Sequence, residues 1–210
     1  MKNQIPKIFF FLLLSFISCK EKKDFIEIYL TKNKIESYDG VPLRVAIKNN
    51  LIITQILESY GEEIRIDTIK DKPIYMGHFL VEQKDLEEKA FINDSEILGF
   101  DFENSEIHFS KSVTSKIYNS IPNWRKKNYF GKQFALCHNG KIILSGYLIG
   151  SMSKYSSNTY QIKYHNYPEH KRNSGIKSVA FSINDSLNFE KNNLKKNKKL
   201  YEAFKNRLIN

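Results

Sequence analysis

A two-residue turn, Asn139-Gly140, between two apolar segments is the feature that most constrains how this chain can fold. Such a turn requires positive φ angles at both central residues, which Asn and Gly tolerate better than other residues do. Lys132–His138 and residues 141–149 are therefore predicted to be the two strands of a β-hairpin.

The turn also predicts which hairpin residues share a face. Counting away from the turn gives three pairs: Cys137 with Ile142, Leu136 with Ile143, and Ala135 with Leu144. Because successive side chains of a strand point to opposite faces, four apolar residues are expected on one face: Ala135, Cys137, Ile142 and Leu144. A sheet with one apolar face is stabilised when a helix packs over it.

A helix is predicted directly before the hairpin. Ser110 or Ser112 can cap its first turn, and the helix is expected to end at Ser120. Its apolar residues recur at helical spacing: Val113, Ile117 and Ile121. We expect this helix to pack on the apolar hairpin face. The predicted fold class is α+β, a mainly antiparallel sheet with a helix packed on one face, in a β-α-β-β unit.

The remaining pattern indicates further strands in a single domain. Strand candidates are residues 25–30, 43–47, 65–69, 74–81, 105–109 and 159–164, residues 52–60 fit a helix or a strand, and residues 82–89 are a surface turn or short helix. No linker rich in Gly, Ser or Pro interrupts the chain, so residues 25–190 are predicted to be one domain.

The first 19 residues are typical of a targeting segment. Lys2 and Lys7 precede ten apolar residues, which are too few to span a membrane as a helix. Phe16-Ile17-Ser18-Cys19 resembles the lipobox of a bacterial lipoprotein signal, with Phe16 in place of the usual Leu.

This resemblance implies that residues 1–18 are a signal peptide, that Cys19 is acylated, and that residues 19–24 are a tether to the membrane. Lys20 replaces the Asp that retains some lipoproteins in the inner membrane, which favours the outer membrane. An ordinary cleaved signal peptide is the alternative.

Most of the net charge of +10 lies at the C-terminus. Residues 191–210 hold seven basic side chains and one acidic one, whereas residues 19–190 carry a net charge of only +2. A basic tail without a basic groove argues against nucleic-acid binding.

The tail is predicted to be an amphipathic helix with one apolar stripe: Leu194, Tyr201, Phe204 and Leu208, with Leu200 beside it. We favour docking on the domain, or partial disorder, over lying on a membrane.

The segments SEIHFSKSVTSKI and GKQFALCHNGKIILSGYLI resemble the periplasmic head of SecD, an accessory subunit of the Sec protein translocase. The family has a strand and a helix that lead to a hairpin with an Asp/Asn-Gly-Lys turn, which Asn139, Gly140 and Lys141 match. Ser145-Gly146 stands where the family usually has a small residue and proline. The resemblance covers about residues 91–164. It implies a head-like fold and no catalytic residues.

Catalytic and metal-binding patterns are weak. Cys137 and His138 are neighbours on a strand and therefore cannot form a dyad with each other. Ser151 and Lys154 satisfy Ser-x-x-Lys without the partner motifs of penicillin-recognising enzymes.

Three histidines lie on predicted strands without metal-ligand spacing, and an acidic cluster lacks the order of a calcium loop. These residues are His78, His108 and His138, and Asp94, Glu96, Asp101, Glu103 and Glu106. We predict no cofactor and no metal site, and a solvated bend at the acidic cluster.

Aromatic residues indicate the one candidate interaction surface. It comprises Trp124, Tyr129, Tyr155, Tyr160 and Tyr164. Tyr and Trp are frequent anchors of interfaces, although such residues also pack at the rim of a protein's own core. An edge strand near residues 159–164 is an alternative docking site, because an edge can accept a partner strand.

Together these features predict a lipid-anchored, non-enzymatic envelope protein that acts as a binding or protein-interaction module. Its expected partners are the membrane, through the N-terminal lipid, and an envelope protein. Two alternatives remain open: an envelope hydrolase that uses His138, Ser151 or Lys154, and an accessory factor in protein translocation.

Overall fold

The computed structural model of the chain describes residues 24–48, 64–70, 72–120, 131–150, 159–164, 178–185 and 194–209. It describes the backbone but not the side chains of residues 118–120, 164 and 178–185. The described residues form an α+β fold with mostly antiparallel sheets and few helices, which confirms the predicted fold class.

The described strands and helices follow one another in chain order. The strands are β1 (Ile26–Leu30), β2 (Val41–Pro42), β3 (Arg65–Asp67), β4 (Lys72–Ile74), β5 (Ile97–Asp101), β6 (Glu106–Ser110), β7 (Lys132–His138), β8 (Lys141–Gly150), β9 (Tyr160–Tyr164) and β10 (Ser178–Asp185). The helices are α1 (Leu43–Lys48), α2 (Ser112–Ser120) and α3 (Lys198–Phe204). Short 3₁₀ turns lie at Gln83–Asp85, Asp94–Glu96 and Leu194–Lys196.

Within the described ranges, the strands form one sheet of seven and one of three. The large sheet has the order β1-β7-β8-β9-β10-β6-β5, and the small sheet has the order β2-β3-β4. Neighbouring strands are antiparallel except β8 and β9, which are parallel. The sequence hairpin, β7 and β8, therefore lies inside the large sheet between β1 and β9.

The hairpin contains a β-bulge that changes the predicted register. Cys137 pairs with Ile142 as predicted, but beyond the bulge Leu136 pairs with Leu144 and Ala135 pairs with Ser145. The predictions that placed Leu136 opposite Ile143, and Ala135 opposite Leu144, are therefore wrong by one residue. A bulge places two residues of one strand opposite one of the other, and each one-residue slip moves side chains to the other face.

The bulge also places Leu144 beside Leu136, on the face that the helix covers. Val113 and Ile117 of α2 belong to the main core together with Phe134, Leu136 and Leu144. Ala135, Cys137 and Ile142 lie in a separate buried cluster with Leu86. The helix forms as predicted, but it packs on the face opposite the one we expected, and the hairpin buries both faces. Ile121 lies outside the described residues.

Predictions for the first half of the chain are partly wrong. Residues 43–47, expected to be a strand, belong to helix α1, which buries Leu43 and Ala46. Apolar residues three positions apart share a helical face, and five residues are too few to reveal that period. Strand β4 ends at Ile74, so most of the predicted strand at residues 74–81 does not form. Residues 52–60 lie outside the described part.

Other strand predictions are confirmed within one or two residues at their ends. Strands β1, β6 and β9 correspond to the candidates at residues 25–30, 105–109 and 159–164. The candidate at residues 65–69 is shorter, because β3 ends at Asp67. The predicted surface turn at residues 82–89 contains the 3₁₀ turn Gln83–Asp85.

The C-terminal segment docks on the domain through a face that differs from the predicted stripe. Its buried residues are Leu194, Leu200, Ala203 and Phe204, and the Phe204 ring lies 5.1 Å from that of Phe100 between centroids. Tyr201 and Leu208 remain 39% and 45% exposed. Leu194 belongs to a separate 3₁₀ turn with fewer residues per turn, which shifts the phase of the apolar stripe.

Both outer edges of the large sheet are covered by other segments of the chain. Residues 86–92 run beside β1 and exchange backbone hydrogen bonds with Ile28. At the other edge, Phe100 of β5 donates to Arg207 O, and Ile209 N donates back to Phe100 O. Strand β9 is not an edge strand, since it lies between β8 and β10. The expected docking edge at residues 159–164 is therefore wrong.

Gly146 is required where β8 and β9 approach each other. A Cβ atom added there would overlap the carbonyl oxygen of Tyr160, which belongs to the paired backbone and cannot move aside. Gly140, in the turn between β7 and β8, offers a contrast: its φ of +73° suits glycine, but nothing lies within 4 Å of an added Cβ.

We expect Gly146→Ala to lower the free energy of unfolding by at least about 2 kcal/mol through this overlap. Gly140→Ala is the matched control, with an expected cost of about 1 kcal/mol from its left-handed backbone. Urea denaturation followed by circular dichroism measures both values. Equal losses in the two variants would contradict the close β8–β9 approach.

Candidate functional site

The predicted aromatic surface falls largely outside the described residues. Trp124, Tyr129 and Tyr155 lie there, as does Cys19. Of the two remaining tyrosines, Tyr160 is half-buried against the main core, and its hydroxyl accepts a hydrogen bond from Asn197 Nδ2 at 3.3 Å. Tyr164 is described by its backbone alone, which pairs with Gly150. Tyr160 therefore serves core packing, which is the alternative that the sequence left open.

The three strand histidines do not converge. His78 lies beside Asp39, His108 beside Glu106, and His138 beside Asp24. No cluster of three or more His, Cys, Asp or Glu side chains suited to a metal occurs in the described part of the chain. Ser151 and Lys154 lie outside that part. Cys137 is 1% exposed, and burial, together with the charge of Glu27, raises the pKa of its thiol to about 11.

Asp39 and His78 form the shortest of the three histidine–carboxylate contacts in the described residues. His78 Nδ1 lies 2.9 Å from Asp39 Oδ2, and the His78 backbone N–H donates to the same oxygen at 2.6 Å. The Tyr38 ring stacks on the imidazole, with centroids 5.9 Å apart. A carboxylate on Nδ1 fixes the tautomer of a histidine and leaves Nε2 as the nitrogen that faces outward.

Buried polar side chains support the backbone beside this pair. Tyr147 donates its hydroxyl to Gly77 O at 3.1 Å, and Gln133 Nε2 donates to the Tyr147 hydroxyl at 3.3 Å. Burial and the charge of Asp39 raise the pKa of Tyr147 to about 12, against the lowering effect of Gln133. Tyr147 therefore stays protonated as a donor. In the adjacent strand, the buried Gln161 Nε2 has no hydrogen-bond partner among the described residues.

The sequence signals for this pair are local. Asp39-Gly40 is a turn pattern, and in the structure Asp39 N donates to Ser37 Oγ while Gly40 has a φ of +61°. His78 lies in a segment whose pattern does not indicate a carboxylate partner. The pairing joins residues 39 positions apart, and only the folded chain brings them together.

A second constellation lies where the chain enters the fold. The Asn139 side chain accepts from the backbone N–H of Phe25 at 3.2 Å and donates to Asp24 Oδ1 at 3.0 Å. The Asn139 backbone N–H donates to Phe25 O at 2.9 Å, and His138 Nε2 lies 3.2 Å from Asp24 Oδ1. The hairpin turn thus holds the first described residues through four polar contacts.

Arg207 joins the C-terminus to the same place. Its Nη2 donates to Asp24 O at 3.1 Å and to Asp94 Oδ1 at 2.7 Å. Its Nη1 donates to Asp94 O and to Ile97 O at 3.3 and 3.2 Å. Asp94 Oδ1 also accepts the backbone N–H of Ile26 at 2.7 Å. One guanidinium therefore connects both chain ends to the start of β5.

The charges around Asp24 include helix α3. Hydrogen bonds from Asn139 and His138 and the positive charges of His138 and Lys205 lower the pKa of the Asp24 carboxyl. Lys205 also pairs with Glu202 at 2.9 Å. The pKa of Glu202 is lowered by Lys205 first and then by the charges of Lys198 and His138. The charged face of α3 and the first described residues thus share one region of the surface.

Three residues of the acidic cluster have structural contacts. Asp94 pairs with Arg207, and Glu96 Oε2 accepts from Lys116 Nζ of α2 at 2.6 Å. Asp101 is 8% exposed and accepts from the backbone N–H groups of Glu103 and Asn104 at 2.8 and 2.9 Å. The expectation of a solvated bend is wrong for these three residues, whose carboxylates close a turn or bind elements distant in sequence, whereas Glu103 is exposed.

Comparison with known proteins gave no match among family models, curated proteins or solved structures. Among the residues that the structure describes, none of the helices has the length and apolar character needed to cross a bilayer.

We expect Arg207→Gln to lower the free energy of unfolding by about 2–3 kcal/mol, because it removes charged hydrogen bonds and leaves Asp94 without its partner. Lys205→Gln is the matched control in the same segment and should leave the free energy of unfolding almost unchanged, because its pair with Glu202 is exposed to solvent. Chemical denaturation gives both values. Hydrogen exchange should be faster at the Ile26 amide in Arg207→Gln but not in Lys205→Gln. Unchanged exchange in Arg207→Gln would contradict the role of Arg207 in holding the first described residues.

The Glu96 pair should make stability depend on acid pH. Burial alone would raise the pKa of Glu96, but hydrogen bonds from Lys116, Asn93 and Ser112 outweigh it and lower the pKa below its ordinary 4.5. The stabilisation is therefore complete above pH 4.5 and is lost as the pH falls through the lower native value. Denaturation midpoints measured from pH 6 down to pH 3 should fall less steeply in Glu96→Gln. If the midpoints of Glu96→Gln and of the wild type fell equally steeply with pH, the stabilising role of the Glu96 pair would be contradicted.

Proposed function

We propose that this chain is a lipid-anchored protein of the bacterial cell envelope whose folded body serves as a non-enzymatic binding or protein-interaction module. The lipobox-like segment Phe16-Ile17-Ser18-Cys19 supports the anchor, because it ends a short apolar run that follows basic residues. Several acyl chains on Cys19 make membrane attachment stable, whereas a single chain gives only marginal attachment.

The main structural support for the proposal is the set of polar contacts that hold Asp24 and Phe25 at the end of the tether. Five residues separate Cys19 from Phe25. At about 3.5 Å per residue, such a tether reaches no more than roughly 20 Å. Asn139 and Arg207 hold the end of this tether through hydrogen bonds. A lipid on Cys19 would therefore hold the hairpin turn and the C-terminal helix close to the bilayer surface, with the rest of the body farther out.

We propose only the class of the partner: an envelope protein that binds the folded body beside the membrane. Lys20 after the acylated cysteine favours the outer membrane. The order strand β6, helix α2, hairpin β7–β8, on which the SecD-head resemblance rests, is present in the fold. A role as an accessory factor in protein translocation stays a second proposal that rests on this likeness.

The Asp39–His78 pair favours one other candidate, an envelope hydrolase. An imidazole oriented by a carboxylate is the general-base arrangement of many hydrolases. In this fold both side chains also hold a turn together, because Asp39 accepts the His78 backbone N–H. Hydrolytic turnover by the purified protein that His78→Ala abolishes, with an unchanged circular dichroism spectrum, would contradict the non-enzymatic proposal.

The two cysteines provide a direct test of the anchor. We expect labelled palmitate to enter the wild-type protein in a bacterial host and Cys19→Ser to lose both the label and retention in the membrane fraction. Cys137→Ala is the matched control and should keep both, because Cys137 is buried within the sheet. A Cys19→Ser protein that is labelled and retained like the wild type would contradict the proposal.

A further inference from the structure

The C-terminal segment presents an exposed row of lysines beside the point where the tether enters the fold. Five lysines of residues 194–209 are exposed: Lys195, Lys196, Lys198, Lys199 and Lys205. Glu202 is the acidic residue of this segment, and it is already paired with Lys205. The segment therefore keeps a strong positive charge on its outer side.

The position of this row relative to the tether follows from direct contacts. Arg207 donates to the carbonyl oxygen of Asp24, and the charge of Lys205 acts on the Asp24 carboxyl. Helix α3 rises about 1.5 Å per residue, so Lys198 lies only about 10 Å along the helix from Lys205. The short tether itself adds Lys20, Lys22 and Lys23. Lys20, Lys22 and Lys23 lie within four residues of Asp24 in the sequence, and Lys205 acts on the Asp24 carboxyl, so Asp24 links the two basic segments.

The apolar face of this segment is already occupied. Leu200 and Phe204 are completely buried in the main core, and Asn197 caps α3 by accepting the N–H of Leu200 at 3.1 Å. A helix that keeps its apolar face in the protein cannot insert that face into a bilayer. Its exposed side carries the five lysines together with Tyr201 and Leu208, so positive charge is the main property that this segment offers to a neighbouring surface.

We propose that this lysine row, Lys195, Lys196, Lys198, Lys199 and Lys205, contacts anionic phospholipid headgroups and orients the body on the membrane; this rests on the proposed acylation of Cys19. Basic residues near a membrane surface are attracted by anionic lipids over about one Debye length, roughly 8 Å at physiological salt. Lipid attachment keeps the row close to the membrane and makes contact with the headgroups intramolecular, which raises the effective concentration of the lysines at that surface.

The test uses the full chain, isolated from bacterial membranes with its own anchor and reconstituted into two kinds of vesicle. One contains phosphatidylcholine alone and the other contains phosphatidylcholine with phosphatidylglycerol. A brief pulse of a membrane-impermeant amine-acylating reagent is followed by mass spectrometry of each lysine. Each lysine is its own control, because the same residue is compared between the two lipids.

We expect the five lysines to react at least about threefold more slowly on the anionic vesicles and to recover in high salt, as screening requires. Lys70 and Lys84 serve as reference lysines, since their side chains are 74% and 76% exposed and lie outside the tether region. They should react equally on both vesicles. Equal reactivity of the five lysines on both vesicles would overturn the proposal.

A pair of variants separates charge from folding. Lys198→Gln with Lys199→Gln should weaken the protection of Lys195, Lys196 and Lys205, whereas Lys70→Gln with Lys84→Gln should leave it unchanged. Undiminished protection in the first variant would overturn the proposal. The same spectra report the mass of the acyl chains on Cys19. If that mass is absent, both the proposed anchor and this inference are wrong. If the mass is present but the lysines are not protected, only this inference is wrong.

Discussion

The bulged pairing of β7 with β8 is the interaction on which the rest of the described fold depends. Residues 133–137 of β7 are all buried, so both faces of the hairpin carry buried side chains. The bulge between the Cys137–Ile142 and Leu136–Leu144 pairs determines which residues of β8 join each face. Helices α2 and α3 pack on one face, and the segment around Leu86 packs on the other. Strands β1 and β9 pair with the two outer edges of the hairpin.

The two ends of the described chain complete this arrangement and meet at the turn of the hairpin. The C-terminal residues cover β5, where Gly99 permits the close approach of the Arg207 backbone, and Arg207 then reaches Asp24. Closed edges protect a sheet from pairing with other chains. The same contacts bring the basic helix beside the tether, so the element that closes the sheet also determines which surface would lie nearest the membrane.

The sequence predicted those parts of the fold that depend on neighbours along the chain. The Asn139-Gly140 turn, the strand before α2 and the extent of α2 from Ser112 follow from local turn and capping chemistry, and all are present. The bulge was not predictable, because it depends on packing on both faces of the sheet. Helix α1 was missed because its six residues carry too little period to be told from a strand.

By itself, the sequence determined the α+β class, the central hairpin, the position of the charge in the C-terminal segment, and the lipobox-like pattern from which an anchor is proposed. Only the tertiary structure decided that α3 is docked through Leu200 and Phe204, that Asp39 meets His78, and that Tyr160 packs into the core. These contacts join residues far apart in the chain. Turn and capping preferences act between near neighbours, whereas distant contacts depend on which apolar faces the whole sheet can bury together.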